Sequence, residues 1–85
     1  MERIKTGEIF NLRNTDANIV IVKAEKSKAI DDTLYWAIWD DGFEEMVYKT
    51  DLLHDSRYIR TGRCISLDYW YAFLDSIKGT GNEEQ

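Results

Sequence analysis

The chain has 85 residues, which is enough for one domain with a single hydrophobic core. Hydrophobic residues make up 44% of it and aromatic residues 13%, so the composition excludes a disordered protein. The formal net charge of −5 arises in residues 29–56, which hold eight acidic side chains and one basic side chain. Such an acidic surface repels phosphates, so it argues against general binding to nucleic acids or anionic membranes and favours a basic partner.

Cysteine content and hydropathy indicate the compartment. With one cysteine, Cys64, no intramolecular disulfide can form. The stretch Met1–Lys5 lacks the apolar segment of a signal peptide, and no apolar run is long enough to span a membrane. We therefore expect a cytoplasmic protein that does not associate with membranes.

The first half of the chain predicts two strands. Within residues 7–13, the apolar Phe10 and Leu12 are two positions apart, which is typical of a half-buried strand. A cluster of turn formers at 14–18 separates them from Ile19–Val22. The latter run is β-branched throughout, so it predicts a strand buried on both faces, and a charged loop follows at 23–32.

Residues 34–48 predict a β-hairpin. An Asp-Gly pair at 41–42 joins two strand-like runs, and glycine accepts the positive φ of a tight turn. A turn at 40–43 would place residue 39 opposite residue 44. One face would then carry Tyr35, Ala37, Trp39, Glu44, Met46 and Tyr48. The other would carry Leu34, Trp36, Ile38, Glu45, Val47 and Lys49. The second face is the more aliphatic, so we assign it to the core.

The segment after the hairpin predicts two short elements. Residues 50–54 form one helical turn, which Thr50 would cap. Residues 57–60 form a short strand, which the pair Thr61-Gly62 would end.

The last predicted element is a helix from Leu67 to Lys78. Ser66 is a suitable N-cap, and Gly79 is a suitable C-terminal stop. One apolar stripe follows the helical period and consists of Leu67, Trp70, Tyr71, Leu74 and Ile77. The domain would therefore cover residues 1–78, and residues 79–85 would form a flexible acidic tail.

The order of these elements resembles an SH3-like barrel of five strands, followed by an amphipathic helix. Within it, residues 36–53 resemble the Tudor and chromo type, with an aromatic-ended strand, an acidic glycine turn, a glutamate-rich return strand and an Asp-Leu pair. In such domains, aromatic side chains form a cage that binds methylated lysine or arginine by cation–π attraction. The resemblance implies a cage of Tyr35, Trp39 and Tyr48, with Glu44 close by.

Two further features suggest protein binding. The hairpin tip carries four carboxylates, Asp40, Asp41, Glu44 and Glu45. On the helix, Tyr69 points almost opposite the apolar stripe and Phe73 lies off it. Aromatic residues are enriched at binding hot spots, so these two would contact a partner, or a second copy of the chain through a homodimer at the helix.

Catalysis and metal binding have little support in the sequence. His54 and Cys64 are single residues of their kinds, and no third partner is placed beside them. We expect Cys64 to be a buried small hydrophobe, and we expect no metal and no cofactor. Nucleic-acid binding is an alternative, because Arg57, Arg60 and Arg63 flank Tyr58 in the short strand.

The sequence thus predicts a non-enzymatic protein-binding module. Its size, acidity and surplus aromatics are similar to those of short proteins with which phages and mobile elements block host machinery or host defence. The leading hypothesis is an inhibitor that docks on a basic host protein through the acidic hairpin and the exposed aromatics. The alternatives are a Tudor-like reader of a methylated or basic peptide and a nucleic-acid-binding barrel.

Overall fold

Five antiparallel strands in one sheet and a C-terminal helix make up the protein, as described by a computed structural model for residues 3–26 and 32–82. A short helix precedes the last strand. The elements are β1 (Glu8–Leu12), β2 (Asn18–Lys26), β3 (Thr33–Trp39), β4 (Glu44–Tyr48), α1 (Lys49–His54), β5 (Tyr58–Cys64) and α2 (Leu67–Asn82).

The strand order is β4-β3-β2-β1-β5, so β1 pairs with both β2 and β5, while β4 and β5 are the edges. The short helix α1 contacts both edge strands and links one to the other. The five strands and the helical turn between the last two of them occur in the predicted order. The predicted fold class, mainly β with a C-terminal helix, is confirmed.

The inner face of the sheet encloses the main core. Successive side chains of a strand point to opposite faces, so Ile19 and Ile21 of β2 face inward and are fully buried. They pack with buried residues of β1, β3, β4 and α1, and the partly buried Tyr58 of β5 packs against the same cluster. The buried cluster consists of Ile4, Phe10, Ile19, Ile21, Tyr35, Ala37, Val47 and Leu52.

A second layer lies on the outer face, where α2 packs on the sheet. Val20 of β2 and Ile38 of β3 contact Trp70 and Leu74 of the helix in one buried cluster. Phe73 stacks on Trp70, with 5.4 Å between the ring centroids. The run Ile19–Val22 was predicted to be buried on both faces. This is confirmed for Ile19, Val20 and Ile21, whereas Val22 is half-buried.

The hairpin of β3 and β4 forms as predicted, but its register differs by one residue. Trp39 donates its N–H to the carbonyl of Phe43, so the loop contains three residues, 40–42, and Ile38 lies opposite Glu44. Gly42 has φ +93° and supplies the left-handed residue of this loop. The predicted four-residue turn is wrong because an Asp-Gly pair suits both loop lengths.

The one-residue difference changes which side chains share a face. Tyr35 and Ala37 point into the barrel together with Val47, whereas we expected Tyr35 and Ala37 on the exposed face. Leu34, Trp36 and Ile38 lie on the outer face with Glu44, Met46 and Tyr48. The prediction was correct for Val47 and wrong for the inward face of β3.

Four boundaries also differ from the prediction. Strand β2 continues to Lys26, into the predicted loop at 23–32, and residues 27–31 of that loop lie outside the described residues. Tyr48 is the N-cap of α1, and the Thr50 hydroxyl donates to a carboxylate oxygen of Asp32 at 2.7 Å instead of capping the helix. Strand β5 continues through a bulge at Thr61-Gly62, where Gly62 has φ +76°. Helix α2 continues past Gly79 to Asn82, so part of the predicted tail is helical, and residues 83–85 lie outside the described residues.

Candidate functional site

A groove runs along the outer face of the sheet between α2 and the β3–β4 hairpin. Its deeper part has a volume of about 190 Å³, and the adjoining part has about 280 Å³. The two parts share Ile38, Glu44 and Tyr71, so they form one continuous surface. We call this surface the hairpin groove, and its lining consists of Val22, Lys23, Trp36, Ile38, Asp41, Gly42, Glu44, Tyr71, Leu74, Asp75 and Ile77.

Large apolar side chains at the groove remain open to solvent. Trp36 is 39% exposed, Tyr71 is 48% exposed and Ile77 is 39% exposed. Met46 lies directly opposite Trp36 on β4, is 43% exposed, and extends the apolar surface toward the sheet edge. Helix α2 covers Ile38 but leaves Trp36 open, which accounts for the exposure on this face.

Three carboxylates surround the deeper part of the groove. Asp41 and Glu44 come from the hairpin, and Asp75 comes from α2. The Glu44 side chain is exposed and makes no hydrogen bond to any described residue, so its charge is available to a ligand. Asp41 uses one carboxylate oxygen to accept the N–H of Phe43 at 2.9 Å and retains the other. A basic group would therefore be attracted to this end of the groove.

The other two carboxylates of the predicted acidic site hold the fold together. Asp40 accepts the backbone N–H of Asn18 at 3.1 Å and so ties the hairpin to β2. Glu45 accepts the indole N–H of Trp39 at 2.8 Å on the inner side of the sheet. The structure thus separates the four hairpin carboxylates, with Asp41 and Glu44 at the groove and Asp40 and Glu45 in structural hydrogen bonds.

Tyr69 and Phe73 do not belong to the groove. Each is two positions from Tyr71, which places it about 160° around the helix from that residue. Tyr69 is 68% exposed and Phe73 is 41% exposed, and both line a separate shallow cavity on the far side of α2. The two predicted aromatic contacts are therefore exposed, as expected, but the structure does not bring them together with the acidic hairpin.

The cage implied by the Tudor resemblance is not formed. Tyr35 is 5% exposed within the barrel core, whereas Tyr48 lies on the opposite face of the sheet and pairs with Leu34. Trp39 stacks on Tyr58 at 6.5 Å. These three aromatics cannot surround one cation, because the register of the hairpin points Tyr35 and Tyr48 in opposite directions.

The three arginines of the nucleic-acid alternative do not form one patch. Arg57 forms an ion pair with Asp55 at 2.8 Å. Arg60 forms an ion pair with the buried Glu8 and also donates to the carbonyl of Arg3. Arg63 is exposed near the end of β5 and lies beside Ile9 in the register, whereas Arg60 lies beside the inward-facing Phe10. Their charges are thus divided between two faces.

Other sequence expectations concern catalysis, metals and membranes. Cys64 is exposed at the end of β5, so its predicted burial is wrong, and His54 is the last residue of α1. Within residues 3–26 and 32–82, no three histidine, cysteine or acidic side chains are grouped so that they could hold a metal ion. Over the same ranges, neither helix has the length and apolar content needed to cross a bilayer.

The chain was compared with protein-family models, curated proteins and solved structures, and nothing matches. The site must therefore be interpreted from its own geometry. Sequence patterns missed Trp36 and Tyr71 as surface residues, whereas Met46 was placed on the exposed face of the hairpin and is exposed. The signal that would have found Trp36 is the three-residue loop, since it places Trp36 and Met46 together on the face that α2 only partly covers.

The buried Tyr35 and the partly buried Tyr58 provide a test of the core. Burial, and secondarily the nearby Glu8, raise the pKa of Tyr35 above its ordinary value of 10.0. Burial, and secondarily Glu45, raise the pKa of Tyr58 in the same way. Because the folded chain holds these phenol protons more tightly than the unfolded chain, their contribution to stability is complete below pH 10 and is lost as the pH rises through the raised pKa values.

We expect a late phase in an alkaline titration that follows tyrosinate absorbance. The Tyr35→Phe substitution should remove part of that phase, since Tyr35 is one of its two sources. A late phase of unchanged amplitude in this variant would contradict the buried placement of the Tyr35 hydroxyl.

Proposed function

We propose that the protein is a non-enzymatic binding module that docks on another protein through the hairpin groove. The partner surface would be basic and would supply at least one apolar side chain. Occupying such a surface would block other ligands of the partner, which is how the inhibitor suggested by the sequence would act.

The observation that carries the proposal is the meeting of apolar and acidic side chains in one concave surface. Ile38, Tyr71 and Leu74 line the same cavity as the carboxylates of Asp41, Glu44 and Asp75. An apolar anchor would enter between the hairpin and α2, while lysine or arginine side chains would meet the carboxylates. Exposed aromatic side chains with a polar rim are typical of binding hot spots.

Charge supports a basic partner specifically. The chain has a net charge of −5, and Lys23 is the one basic side chain among the described residues that line the groove. Long-range attraction would raise the association rate with a basic surface and would weaken as salt is added, whereas the apolar contacts would persist. Binding to a partner should therefore fall only in part between low and moderate ionic strength.

Charge reversal at the groove provides the test. A partner is first captured from lysate with the wild-type chain after nuclease treatment, and its affinity is then measured with purified variants. We expect Glu44→Lys to weaken binding about tenfold or more, because it places a positive charge at the acidic end of the groove. The Tyr71→Ala variant should weaken binding by about 30-fold if Tyr71 is a hot spot.

Each variant has a matched control elsewhere on the surface. Asp16→Lys makes the same change in net charge at the exposed β1–β2 turn, and Tyr69→Ala removes an exposed tyrosine from the far side of α2. Both should bind the partner as the wild type does. If Asp16→Lys weakens binding as much as Glu44→Lys, only overall charge matters and the groove is not the docking site.

A further inference from the structure

We propose that the far side of α2 is a self-association surface on which two copies of the chain form a symmetric dimer. The surface consists of Tyr69, Ala72, Phe73 and Ser76, and we call it the helix patch. It lies outside the hairpin groove, so this inference is independent of the proposed docking on a basic partner.

The helix patch is a shallow surface with two large side chains and two small ones. A cavity of about 260 Å³ lies among its four residues, all of them exposed. Phe73 is held in place because its ring stacks on the buried Trp70. Tyr69 extends further into solvent and is 68% exposed. Such a patch presents apolar surface on a helix that the sheet already fixes on its other side.

Charge favours the helix patch over the other described cavities as the surface that two copies of this acidic chain would share. The helix patch contains no charged side chain, while each of the other four described cavities includes at least one carboxylate. A second copy carries the same net charge of −5, so contact through any of the acidic surfaces would bring carboxylates together. Contact through the helix patch avoids this repulsion.

The order of residues along the patch is self-complementary. In an antiparallel pair of helices, a two-fold axis between positions 72 and 73 places Tyr69 opposite Ser76 of the second copy. The same axis places Phe73 opposite Ala72. Each large side chain therefore meets a small one, which is the arrangement that lets two helices interdigitate closely. The two hairpin grooves would remain open in this dimer, since Tyr71 lies on the other side of each helix.

Sedimentation analysis of the whole chain over a range of concentrations tests the dimer. We expect the average mass to rise from 10.0 kDa toward twice that value as the concentration increases. The Ala72→Glu variant places two carboxylates near the two-fold axis and should keep the chain monomeric at every concentration. Tyr69→Ser should also shift the equilibrium toward monomer, because it removes the side chain that fills the space beside Ser76.

A matched variant keeps the test specific to this side of the helix. Tyr71→Ser removes an equally aromatic, exposed side chain from the same helix but from the groove side, and it should dimerise as the wild type does. A wild-type chain that stays monomeric throughout would overturn the proposal. So would a Tyr71→Ser variant that loses dimerisation while Ala72→Glu retains it, because the groove would then be the self-association surface. Circular dichroism of each variant verifies that α2 is intact.

Discussion

Substituting Gly7 by alanine should lower the free energy of unfolding by about 3 kcal/mol or more, which is a large share of the roughly 5–15 kcal/mol that stabilises a typical domain. Gly7 has φ +90°, which costs an L-residue about 1–2 kcal/mol by itself. In addition, a Cβ atom at this position would lie 2.5 Å from the carbonyl oxygen of Ile65. The clash is with backbone, so no side-chain rotation relieves it.

The surroundings of Gly7 prevent the backbone from moving away. Its N–H donates to the carbonyl of Ile21 at 2.6 Å, and its carbonyl accepts the N–H of Ile65 at 2.8 Å. A shift that made room for the methyl group would therefore break hydrogen bonds on both sides of the chain. These bonds join the start of β1 to β2 and to the segment that leads into α2, so the loss would affect both layers of the protein.

Gly42→Ala is the matched control for this prediction. Gly42 has φ +93°, almost the same as Gly7, but among the described residues, apart from its two chain neighbours, no atom lies within 4 Å of the position of its added Cβ. The free energy of unfolding of Gly42→Ala should fall only by the conformational cost of the positive φ, about 1–2 kcal/mol. Urea unfolding of both variants separates the two effects, and equal losses would show that the approach of Ile65 is not a constraint.

The hairpin shows how far the sequence predicts this fold. Alternating apolar residues and the Asp-Gly pair were sufficient to predict two paired strands at 34–48. They were not sufficient for the loop length, since Gly42 can serve as the left-handed residue of a three-residue loop as well as of a four-residue one. A single-residue difference reverses the face of every side chain on one strand relative to the other. That is why Tyr48 was predicted to share a face with Tyr35.

To predict the candidate site, one must also know which face of β3 points inward, and the periodicity of apolar residues does not show this. Both faces of β3 are apolar, because Tyr35 fills the barrel and Ile38 supports α2. An alternating pattern therefore could not identify the inner face. Nor could it show that α2 covers Ile38 but not Trp36, since that depends on where the helix lies on the sheet. The sequence places all four carboxylates at the hairpin, and only the structure separates Glu44 from Glu45.

Trp70→Ala should have the other large effect, because this residue attaches α2 to the sheet. Trp70 is 6% exposed and packs with Val20, Ile38 and Leu74. Removing a buried tryptophan side chain costs about 3–5 kcal/mol through lost transfer energy and the remaining cavity. We expect the loss to appear first in α2, whose amide protons should exchange rapidly while those of β2 remain protected.

Trp70→Phe distinguishes packing from polarity at the same position. The indole N–H of Trp70 is buried and has no hydrogen-bond partner among the described residues. Replacing the indole by a phenyl ring therefore removes the desolvation penalty of this N–H as well as some packing contacts. Phenylalanine should therefore reduce stability by only about 1–2 kcal/mol. A loss as large as that of alanine would indicate that the indole N–H does have a partner.

The Trp70→Ala variant also tests whether binding through the hairpin groove depends on the attachment of α2. The barrel core of Phe10, Ile21 and Tyr35 lies on the opposite face of the sheet from Trp70, so its packing should outlast the release of α2. The stacked pair of Trp39 and Tyr58 then reports on the barrel through its near-ultraviolet circular dichroism. We expect that signal to persist in Trp70→Ala under conditions where binding through the groove is lost, because Tyr71, Leu74 and Asp75 would no longer face the hairpin.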